Sequence, residues 1–547
     1  MNSSQPRPTI SDPPVHWADQ VAQRIIAQRG PLGSEKSHFT CASGITPSGT
    51  IHIGNFREIV SVDLIVRALQ DHGQKTRFIY SWDDFDVFRK VPKNMPQQEM
   101  LAGYLRWPIT EVPDPYGSER SYARHNEAEL EAVLPQVGVS PEYIYQASRY
   151  HAAAYAQGIR TALEHRETIR DLLNEHRTEP LPADWWPVSV FSHFSHKDTT
   201  TVLGWDGEWA VTYRCDETQN EETVDIRSAD NVKLPWRVDW PMRWNEEQVD
   251  FEPAGKEHHS AGGSFDTART IASTVYGFEA PVTFKYDFIS IKGRGGKISS
   301  SSGDVISLAD VLEVYQAEIV RYLFAGTRAN SEFAISFDLD VIKIYEDYDR
   351  CERIYFGTES VSEKRAAKER RTYELSQLPE VAETLTPEDP PPLQLPFRTL
   401  CNFLMITAGD LEGALERFPE YLETEAAART RHRRRAECAW KWITEFAPPD
   451  FRFDLKEAGA PPIEVTPEER AAIAALRNEV ADHAAGHTEQ SMAEAIYRIA
   501  DETGVDRKRF FAVMYQALIG KERGPRLAGF LLTIGADRVT GILSAYE

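Results

Sequence analysis

The spacing of apolar and polar positions changes along the chain from an alternating strand and helix pattern to a helical one. Residues 14–29 repeat apolar positions with the period of a helix that stops at Gly30. A strand-like segment follows at 38–43, a long helical repeat at 56–73 and a second strand-like segment at 76–82. This order predicts an α/β fold that begins with half of a Rossmann-like, doubly wound parallel-sheet domain.

The alternation is interrupted in the middle of the chain. A helical stretch at 126–175 and short strand-like segments at 199–215 indicate an insertion into the sheet domain. Alternation returns at 281–293, and 307–326 has the repeat of one helix. The rest is almost entirely helical. We therefore expect an N-terminal helix (1–30), the first half of the sheet domain (31–105), a connective insertion (106–230), the second half (231–336), a helical bundle (337–462) and an all-α C-terminal domain (463–547).

The helical part contains one well-defined helix start. It follows a proline-rich stretch at 447–462. Thr466 supplies a capping hydroxyl, Pro467 suits the first helical position, and Glu469 stands three residues after the cap. The sequence predicts a helix that begins at Pro467.

Composition and charge limit the class of protein. The 547 residues exceed what one hydrophobic core organises, so we expect several domains. The net charge of -23 makes a general polyanion binder improbable, because affinity for phosphate backbones grows with the number of Lys and Arg contacts. No apolar run approaches the roughly 18 residues of a membrane span, and the N-terminus lacks a secretory signal pattern. We expect a cytoplasmic protein that does not act at a membrane, with its five cysteines reduced.

The segment TPSGTIHIGN, residues 46–55, joins the first strand to the first long helix. If the helix begins near Ile51 or His52, the His52 and Asn55 side chains share its first turn. Free N–H groups and the helix dipole favour an anion there, so the segment is a candidate phosphate site. Taken alone, an ordinary polar helix start is an equally good interpretation.

A second glycine-rich segment, KGRGGKISSSSG at 292–303, follows a strand near the end of the sheet domain. Lys297 can reach a pyrophosphate as a point charge, and the serines after it supply further donors. Alone, it could be an exposed loop. Together and in this order, the two segments resemble the paired HIGH and KMSKS signatures of class I aminoacyl-tRNA synthetases.

The amino-acid sequences of six segments narrow this resemblance to one family, the class I lysyl-tRNA synthetases. The segments are ASGITPSGTIHIGNFREI, SWDDFDVFRKVP, LPWRVDWPMRW, VDFEPAGKEHHSAGGSFDT, GRGGKISSSSG and GKERGPRLAGFLLTIGADRV. The resemblance implies a two-step reaction, in which lysine and ATP form lysyl-adenylate and lysine then passes to the terminal adenosine of tRNA(Lys). It also implies that the C-terminal helical domain binds the anticodon.

The resemblance implies roles for residues at matching positions. His52 and Asn55 are expected to be catalytic together with Lys297, with Asn55 in place of the final His of the general signature. Mg²⁺ is expected to accompany ATP, held mostly by phosphate oxygens and water. The expected ATP-binding residues are Pro47, Gly49, His52, Gly54, Asn55, Lys297, Ser299 and Ser300.

Lysine itself needs an aromatic or apolar wall and an acceptor for its ammonium group, because a buried cation without a partner is too costly. Gly44, Thr46, Trp236 and His258 fall on positions that the family uses around lysine. Asp84 and Asp239 are both candidate partners of the ammonium. Each Asp could equally serve as a cap or in a salt bridge, and Trp236 and Trp240 could be core residues.

Zinc-binding cysteine pairs occur in the insertion of many relatives, but this chain departs from that pattern. His193, His196 and Cys215 could in principle bind zinc, yet no fourth ligand is evident. We expect no structural zinc. The basic run ARTRHRRR at 428–435 is a weak candidate for contact with the RNA backbone, because charge runs are more often solvated faces.

Two alternatives remain open from the sequence. A related class I synthetase for glutamate would need a basic residue where the acids are expected. A degenerate synthetase that acts as an RNA-binding regulator would not need His52, Asn55 and Lys297, all of which are present.

Overall fold

The computed structural model describes residues 10–34, 36–292, 305–483 and 486–546. The chain divides into two compact units. The first comprises residues 1–312, 317–335 and 350–389, and the second comprises 313–316, 336–349 and 390–547.

The strands all lie before residue 336 within the described ranges. In chain order they are β1 (Phe39–Ile45), β2 (Thr76–Trp82), β3 (Glu142–Tyr145), β4 (Ser189–Val190), β5 (Thr200–Trp205), β6 (Ala210–Cys215), β7 (Glu221–Asp225), β8 (Val232–Lys233), β9 (Val249–Phe251), β10 (Ala254–Gly255), β11 (Lys285–Tyr286), β12 (Ile289–Ile291) and β13 (Phe333–Ile335).

The α-helices are distributed along the whole chain. They are α1 (Trp17–Arg29), α2 (Ile53–Asp71), α3 (Gln98–Ala102), α4 (Tyr122–Val133), α5 (Gln146–His151), α6 (Ala156–Glu164), α7 (Arg166–Asn174), α8 (Trp236–Glu247), α9 (Ser264–Val275), α10 (Leu308–Val314), α11 (Ala317–Gly326), α12 (Asp340–Tyr355), α13 (Glu363–Ser376), α14 (Pro379–Ala382), α15 (Phe397–Ile406), α16 (Leu411–Leu415), α17 (Pro419–Leu422), α18 (Ala426–Glu445), α19 (Pro467–His483), α20 (Glu489–Glu502), α21 (Arg507–Ile519), α22 (Leu527–Ile534) and α23 (Ala536–Leu543). Short 3-10 turns occupy Leu134–Val137, Lys256–His259 and Ser544–Tyr546.

A parallel sheet with the order β3-β2-β1-β9 forms the centre of the first unit. This arrangement confirms the predicted parallel α/β fold. The chain moves from β1 to β2 and β3 on one side, and β9 pairs with β1 on the other side. The direction of the strand order therefore changes at β1. Crevices outside the carboxyl ends of strands at such a point are where open α/β sheets bind ligands.

The helix α2 is fixed behind this crevice by its composition. Most of its residues are buried, as expected for a helix that is apolar around most of its circumference. Two buried charges anchor it. The Arg57 guanidinium donates to the carbonyls of Ala329 and Ser331 at 2.6 and 2.7 Å, and Asp63 pairs with Arg321 at 2.7 Å. The N-terminus of α2 thereby has a defined position at the end of β1.

The insertion contains the expected short strands. The strands β5, β6 and β7 form an antiparallel sheet, and β4 pairs with β8. The prediction of a helical stretch at 126–175 was wrong at one point, because β3 lies within it and pairs with β2 in the central sheet. Four residues bounded by turns carry too little periodicity to distinguish a strand from a helix.

The predicted single helix at 307–326 is two helices, α10 and α11, separated by Tyr315 and Gln316. The Tyr315 hydroxyl donates to the carbonyl of Ser336, an interaction that is distant in sequence and thus invisible in the local pattern.

The second unit is helical throughout its described elements. The helix α19 begins at Pro467 as predicted, since the Glu469 N–H donates to the Thr466 hydroxyl at 3.2 Å and the Thr466 N–H donates to the Glu469 carboxylate at 2.9 Å. No single helix in the described ranges is long and apolar enough to cross a membrane. Leu527–Ile534 and Ala536–Tyr546 meet that criterion only as a pair, which is bent by 102°.

Candidate active site

Two adjoining clefts open at the carboxyl end of β1. The larger has a volume of about 720 Å³ and is lined by the loop after β1, the first turn of α2 and residues 86–90. The smaller, of about 90 Å³, lies between β1 and α8. Ser43, Gly44, Glu58 and His258 line both clefts. Ligands in the two clefts would meet at these four residues.

His52 and Asn55 line the larger cleft, in the first turn of α2. The helix begins at Ile53, one residue later than the latest start that the sequence indicated, and His52 is its N-cap. The His52 N–H donates to Oδ1 of Asn55 at 3.2 Å. This bond orients the Asn55 amide so that its nitrogen is the group available to a ligand.

Gly54 also lines the larger cleft, and its lack of a side chain has a direct cause. A Cβ atom at this position would stand 2.9 Å from Nδ1 and 2.9 Å from Cε1 of His52. The imidazole therefore occupies the space that any other residue at position 54 would fill.

Pro47 and Gly49 are buried but are not among the residues that line the clefts. The loop that contains them is held by α4. The Asn126 amide donates to the Pro47 carbonyl at 3.3 Å, and the Tyr122 hydroxyl donates to the Ser48 carbonyl at 2.9 Å. These bonds to the Pro47 and Ser48 carbonyls fix the loop in position. Lys297, Ser299 and Ser300 lie outside the described residues.

The smaller cleft has an aromatic wall formed by Trp236 and Trp240. Their rings stack with centroids 4.8 Å apart and an interplanar angle of 19°. Gly44 also lines this cleft, and a Cβ atom there would stand 2.7 Å from the Ser81 carbonyl oxygen. Thr46 lies only in the larger cleft, and its hydroxyl donates to Asp86 at 2.7 Å.

Neither Asp84 nor Asp239 lines a cleft. Asp84 accepts from the Ala147 N–H at 2.7 Å, and burial raises its pKa to about 7. Asp239 accepts from the Tyr150 hydroxyl and lies 3.1 Å from Nε of Arg243. Both carboxyl groups face inward and brace the structure around the clefts.

Other acids, which the sequence did not single out, line the smaller cleft. Asp83 and Glu247 do so, but each is paired with arginine: Asp83 with Arg243 at 2.6 Å, and Glu247 with Arg77 at 2.8 Å. The proximity of Asp83 and Asp84 in the sequence concealed the difference, because successive side chains at a strand end point to opposite sides. Because Asp83 follows Trp82 directly, the alternation of side chains along a strand places Asp83 on the opposite side from Trp82, and this alternation could have identified Asp83.

Glu58 and Glu252 also line the smaller cleft, and the donors recorded for them among the described residues are neutral. Glu58 accepts from the Ser43 hydroxyl at 2.7 Å, from the Gly44 N–H at 3.3 Å and from the Tyr286 hydroxyl. Glu252 accepts from the Trp244 indole at 2.5 Å.

Burial raises the pKa of both Glu58 and Glu252, that of Glu252 to about 7, and the Glu58 charge contributes to the rise at Glu252. A cation placed between or beside these two buried carboxyl groups would stabilise their charged forms, so the pair favours a cation.

The three candidate zinc ligands do not converge. His193 lies between Glu222 at 2.9 Å and Asp230 at 3.1 Å, whereas His196 stacks on Trp107. The Cys215 thiol donates to the Ser195 hydroxyl at 3.5 Å. The described residues contain no group of three or more His, Cys, Asp or Glu side chains that could hold a metal ion.

The basic run at 428–435 lies on α18 and is largely engaged within the second unit. Arg435 forms a buried bidentate pair with Asp349 at 3.0 and 2.5 Å. Arg429 donates to the carbonyls of Leu422 and Thr424, both at 2.9 Å. These arginines fasten α18 to its neighbours.

A different part of the second unit combines basic and aromatic groups in a cleft of about 710 Å³, here called the KERGPR cleft after residues 521–526. Asn402 supplies an amide to its lining. The other charged and aromatic lining groups are the cations Arg398, Arg452, Lys521, Arg523 and Arg526, the carboxylates Asp450 and Glu489, and the rings of Phe403, Phe451, Phe453 and Phe530. Aromatic and guanidinium planes beside an amide are suited to an unstacked RNA base.

Comparisons with known proteins show which family the chain resembles. The model of the family described as tRNA synthetases class I (K) matches residues 15–379. The chain is 49% identical over 542 residues to a lysine–tRNA ligase of Treponema pallidum. The alignment covers 98% of this chain and 100% of that protein. The chain is 50% identical to one of Borreliella burgdorferi, with 97% and 99% covered, and 41% identical to one of Pyrococcus horikoshii, with 95% and 97% covered.

Proposed function

The chain belongs to the family of tRNA synthetases class I (K), and on this premise we propose that it is a lysine–tRNA ligase. It uses ATP to convert lysine into lysyl-adenylate and pyrophosphate, and it then transfers lysine to the 3′-terminal adenosine of tRNA(Lys). The observation that carries the assignment to this geometry is the pair of adjoining clefts, one with an aromatic wall and two acids that accept from neutral donors, the other at a helix N-terminus.

Lysine occupies the smaller cleft in this proposal. Its alkyl chain lies against Trp236 and Trp240, where apolar contact and cation–π attraction both act. Its ammonium binds Glu58, with Glu252 as the second negative charge. We assign these two acids in preference to Asp84 and Asp239, because both line the cleft and their recorded donors are neutral.

ATP occupies the larger cleft, with its α-phosphate near the first turn of α2. The lysine carboxylate oxygen attacks the α-phosphorus, the new O–P bond forms, and the bond from phosphorus to the pyrophosphate oxygen breaks. The His52 imidazole and the Asn55 amide nitrogen donate toward the phosphoryl oxygens, where charge grows in the transition state. Lys297 neutralises the departing pyrophosphate.

Mg²⁺ fits this scheme as a companion of the nucleotide. The described residues contain no group of three His, Cys, Asp or Glu side chains that could hold a metal ion. Phosphate oxygens and water would be its ligands, as Mg²⁺ at nucleotides usually keeps them. When bound, it would neutralise charge on the phosphates.

The second step requires tRNA. A hydroxyl of the terminal adenosine attacks the lysyl carbonyl, and AMP leaves. We assign the KERGPR cleft to an unstacked base of the anticodon loop, with Arg398, Arg523 and Arg526 toward the RNA backbone. We place the reaction in the cytoplasm, where tRNA is charged for protein synthesis.

The glutamate alternative meets an obstacle in the smaller cleft. Its cation, Arg243, is already bound by Asp83 at 2.6 Å and by Asp239 at 3.1 Å, so it is not free to receive a substrate carboxylate. A regulator without catalytic activity would not need the clefts at all.

The proposal is tested by aminoacylation and by amino-acid-dependent ATP–pyrophosphate exchange, with lysine and glutamate compared and tRNA both present and omitted. We expect lysine alone to support exchange and charging, and Lys297→Ala to abolish most of the exchange. Charging with glutamate, or no charging of any tRNA by the purified wild-type protein, would refute the function.

A further inference from the structure

Trp236 separates the smaller cleft from a third cavity on its far side. This cavity has a volume of about 340 Å³ and lies between the end of α7, the start of α8 and the loop before α9. Trp236 lines both cavities, and 38% of it is exposed although one face is stacked on Trp240. Because the third cavity shares this indole wall with the proposed lysine site, any occupant of the cavity lies next to the site of the reaction.

The charge of the third cavity contrasts with that of the chain. His176, Arg177 and Arg237 line it, and the described lining residues include no carboxylate. The chain as a whole has 84 Asp and Glu residues against 61 Lys and Arg. A local cluster of basic residues without acids, in so acidic a protein, attracts an anion.

The cavity also has aromatic surfaces. Trp185 and the exposed part of Trp236 both line it. Cations beside two indole rings are the combination that binds single-stranded nucleic acid, because phosphates pair with the cations and bases stack on the rings.

We propose that the third cavity binds a nucleotide of the single-stranded 3′ end of tRNA, just before the terminal adenosine. Its phosphate pairs with Arg177 and His176, and its base stacks on the exposed indole surface. This inference rests on the proposed function, since only a charging enzyme must bring a tRNA end to the lysine site.

The loop from His258 to Gly263 couples the two cavities. A Cβ atom on Gly262 would stand 2.5 Å from Cβ of His176, and Gly262 has a φ of +70°, so glycine is required on both grounds. A Cβ on Gly263 would stand 2.4 Å from the carbonyl oxygen of His258, which lines both clefts of the active site. Arg237 donates to the Gly262 carbonyl at 3.1 Å and holds the loop in place.

Arg177 is the residue to change, because it is exposed and its recorded bond, from Nε to the Glu179 carbonyl at 3.1 Å, is local. The experiment measures the dissociation constants of two RNAs, intact tRNA(Lys) and the same tRNA without its last three nucleotides. We expect the wild-type protein to bind the intact RNA more tightly, with about tenfold of the difference contributed by one charged hydrogen bond and its stacking partner in the third cavity. In Arg177→Glu this tenfold contribution is lost and the contribution of the terminal adenosine remains, while binding of the truncated RNA is unchanged.

Arg227→Glu is the matched control, since Arg227 is exposed on the same insertion and pairs with Asp225 at 2.5 Å. It should bind both RNAs like the wild type, and Arg177→Lys should recover most of the difference. Equal loss for both RNAs, or no loss, would overturn the inference. A wild-type protein that binds tRNA but never charges it would refute the proposed function instead.

Discussion

The imidazole of His52 lies so close to the backbone of Gly54 that a Cβ atom there would be 2.9 Å from two of its ring atoms. Real Cβ atoms essentially never make such contacts, so any substitution at position 54 must move the ring. The helix itself need not change, because the atoms in the way belong to a side chain. The relationship links the glycine of the HIGN motif to the placement of its histidine.

Gly54→Ala is therefore expected to impair catalysis more than folding. Displacement of one donor to a developing oxyanion lowers kcat by about 100-fold in comparable sites, and we expect a loss of roughly 10- to 100-fold in lysine-dependent pyrophosphate exchange. Gly326→Ala is the control, since the nearest atom to its Cβ would be 3.6 Å away. Equal exchange rates in Gly54→Ala and the wild type would contradict the assigned role of His52.

Glu58→Gln should raise the KM for lysine by roughly 30- to 100-fold, because it removes the charge that binds the substrate ammonium while preserving the shape. The companion variant Asp84→Asn should change the KM by no more than about twofold, since that carboxyl bonds the Ala147 N–H away from the clefts. The measurement is pyrophosphate exchange at varied lysine. A larger increase in the KM for Asp84→Asn than for Glu58→Gln would instead identify Asp84 as the partner of the ammonium.

Lysine binding should strengthen with rising pH. Burial raises the pKa of Glu252 to about 7, so this carboxyl is mostly protonated at pH 6 and mostly charged at pH 8. The second negative charge beside the ammonium is thus present only in the upper part of that range, and the KM for lysine should fall as the pH rises from 6 to 8. Glu252→Gln should flatten the profile, which a steady-state pH series measures.

His16 should make the fold acid-sensitive. It caps α1 by accepting from the Ala18 N–H at 3.2 Å, its other ring nitrogen bonds the Ala325 carbonyl at 3.0 Å, and burial lowers its pKa to about 4. Because the folded pKa lies below the unfolded value of 6.5, the stabilisation is complete above pH 6.5 and is lost as the pH falls toward 4. The loss reaches about 3 kcal/mol in the free energy of unfolding.

The variant His16→Asn tests this origin, since Asn can still accept from the Ala18 N–H but does not titrate. Thermal midpoints measured from pH 7 to pH 4 should decline less steeply in the variant than in the wild type. Parallel declines would assign the acid sensitivity to other groups.

Arg523→Glu together with Arg526→Gln should raise the KM for tRNA in aminoacylation by about tenfold or more, because two cations leave the KERGPR cleft. Pyrophosphate exchange measured without tRNA, where the wild type supports it, should be unchanged. Arg433→Gln provides the comparison from the basic run, since this arginine is 61% exposed and lies near Glu437. A larger effect of Arg433→Gln would restore the basic run as the RNA contact.

The sequence by itself determined what depends on neighbours along the chain. The parallel α/β start, the HIGN turn before α2 and the Thr466 cap of α19 could be predicted, because periodicity, turn chemistry and capping act over a few residues. The aromatic wall at Trp236 was accessible through the resemblance of its motif.

Only the tertiary structure decided which charges face a cleft. Glu58 and Glu252 come from distant segments that meet where β1, α2 and the end of β9 converge, whereas Asp84 and Asp239 turn inward. Arg429 and Arg435 of the basic run are likewise used inside their own unit, and the KERGPR cleft gathers its cations from separate helices and loops. The physical reason is that the partner and the solvent exposure of a charged side chain depend on contacts between segments far apart in sequence, which no local pattern records.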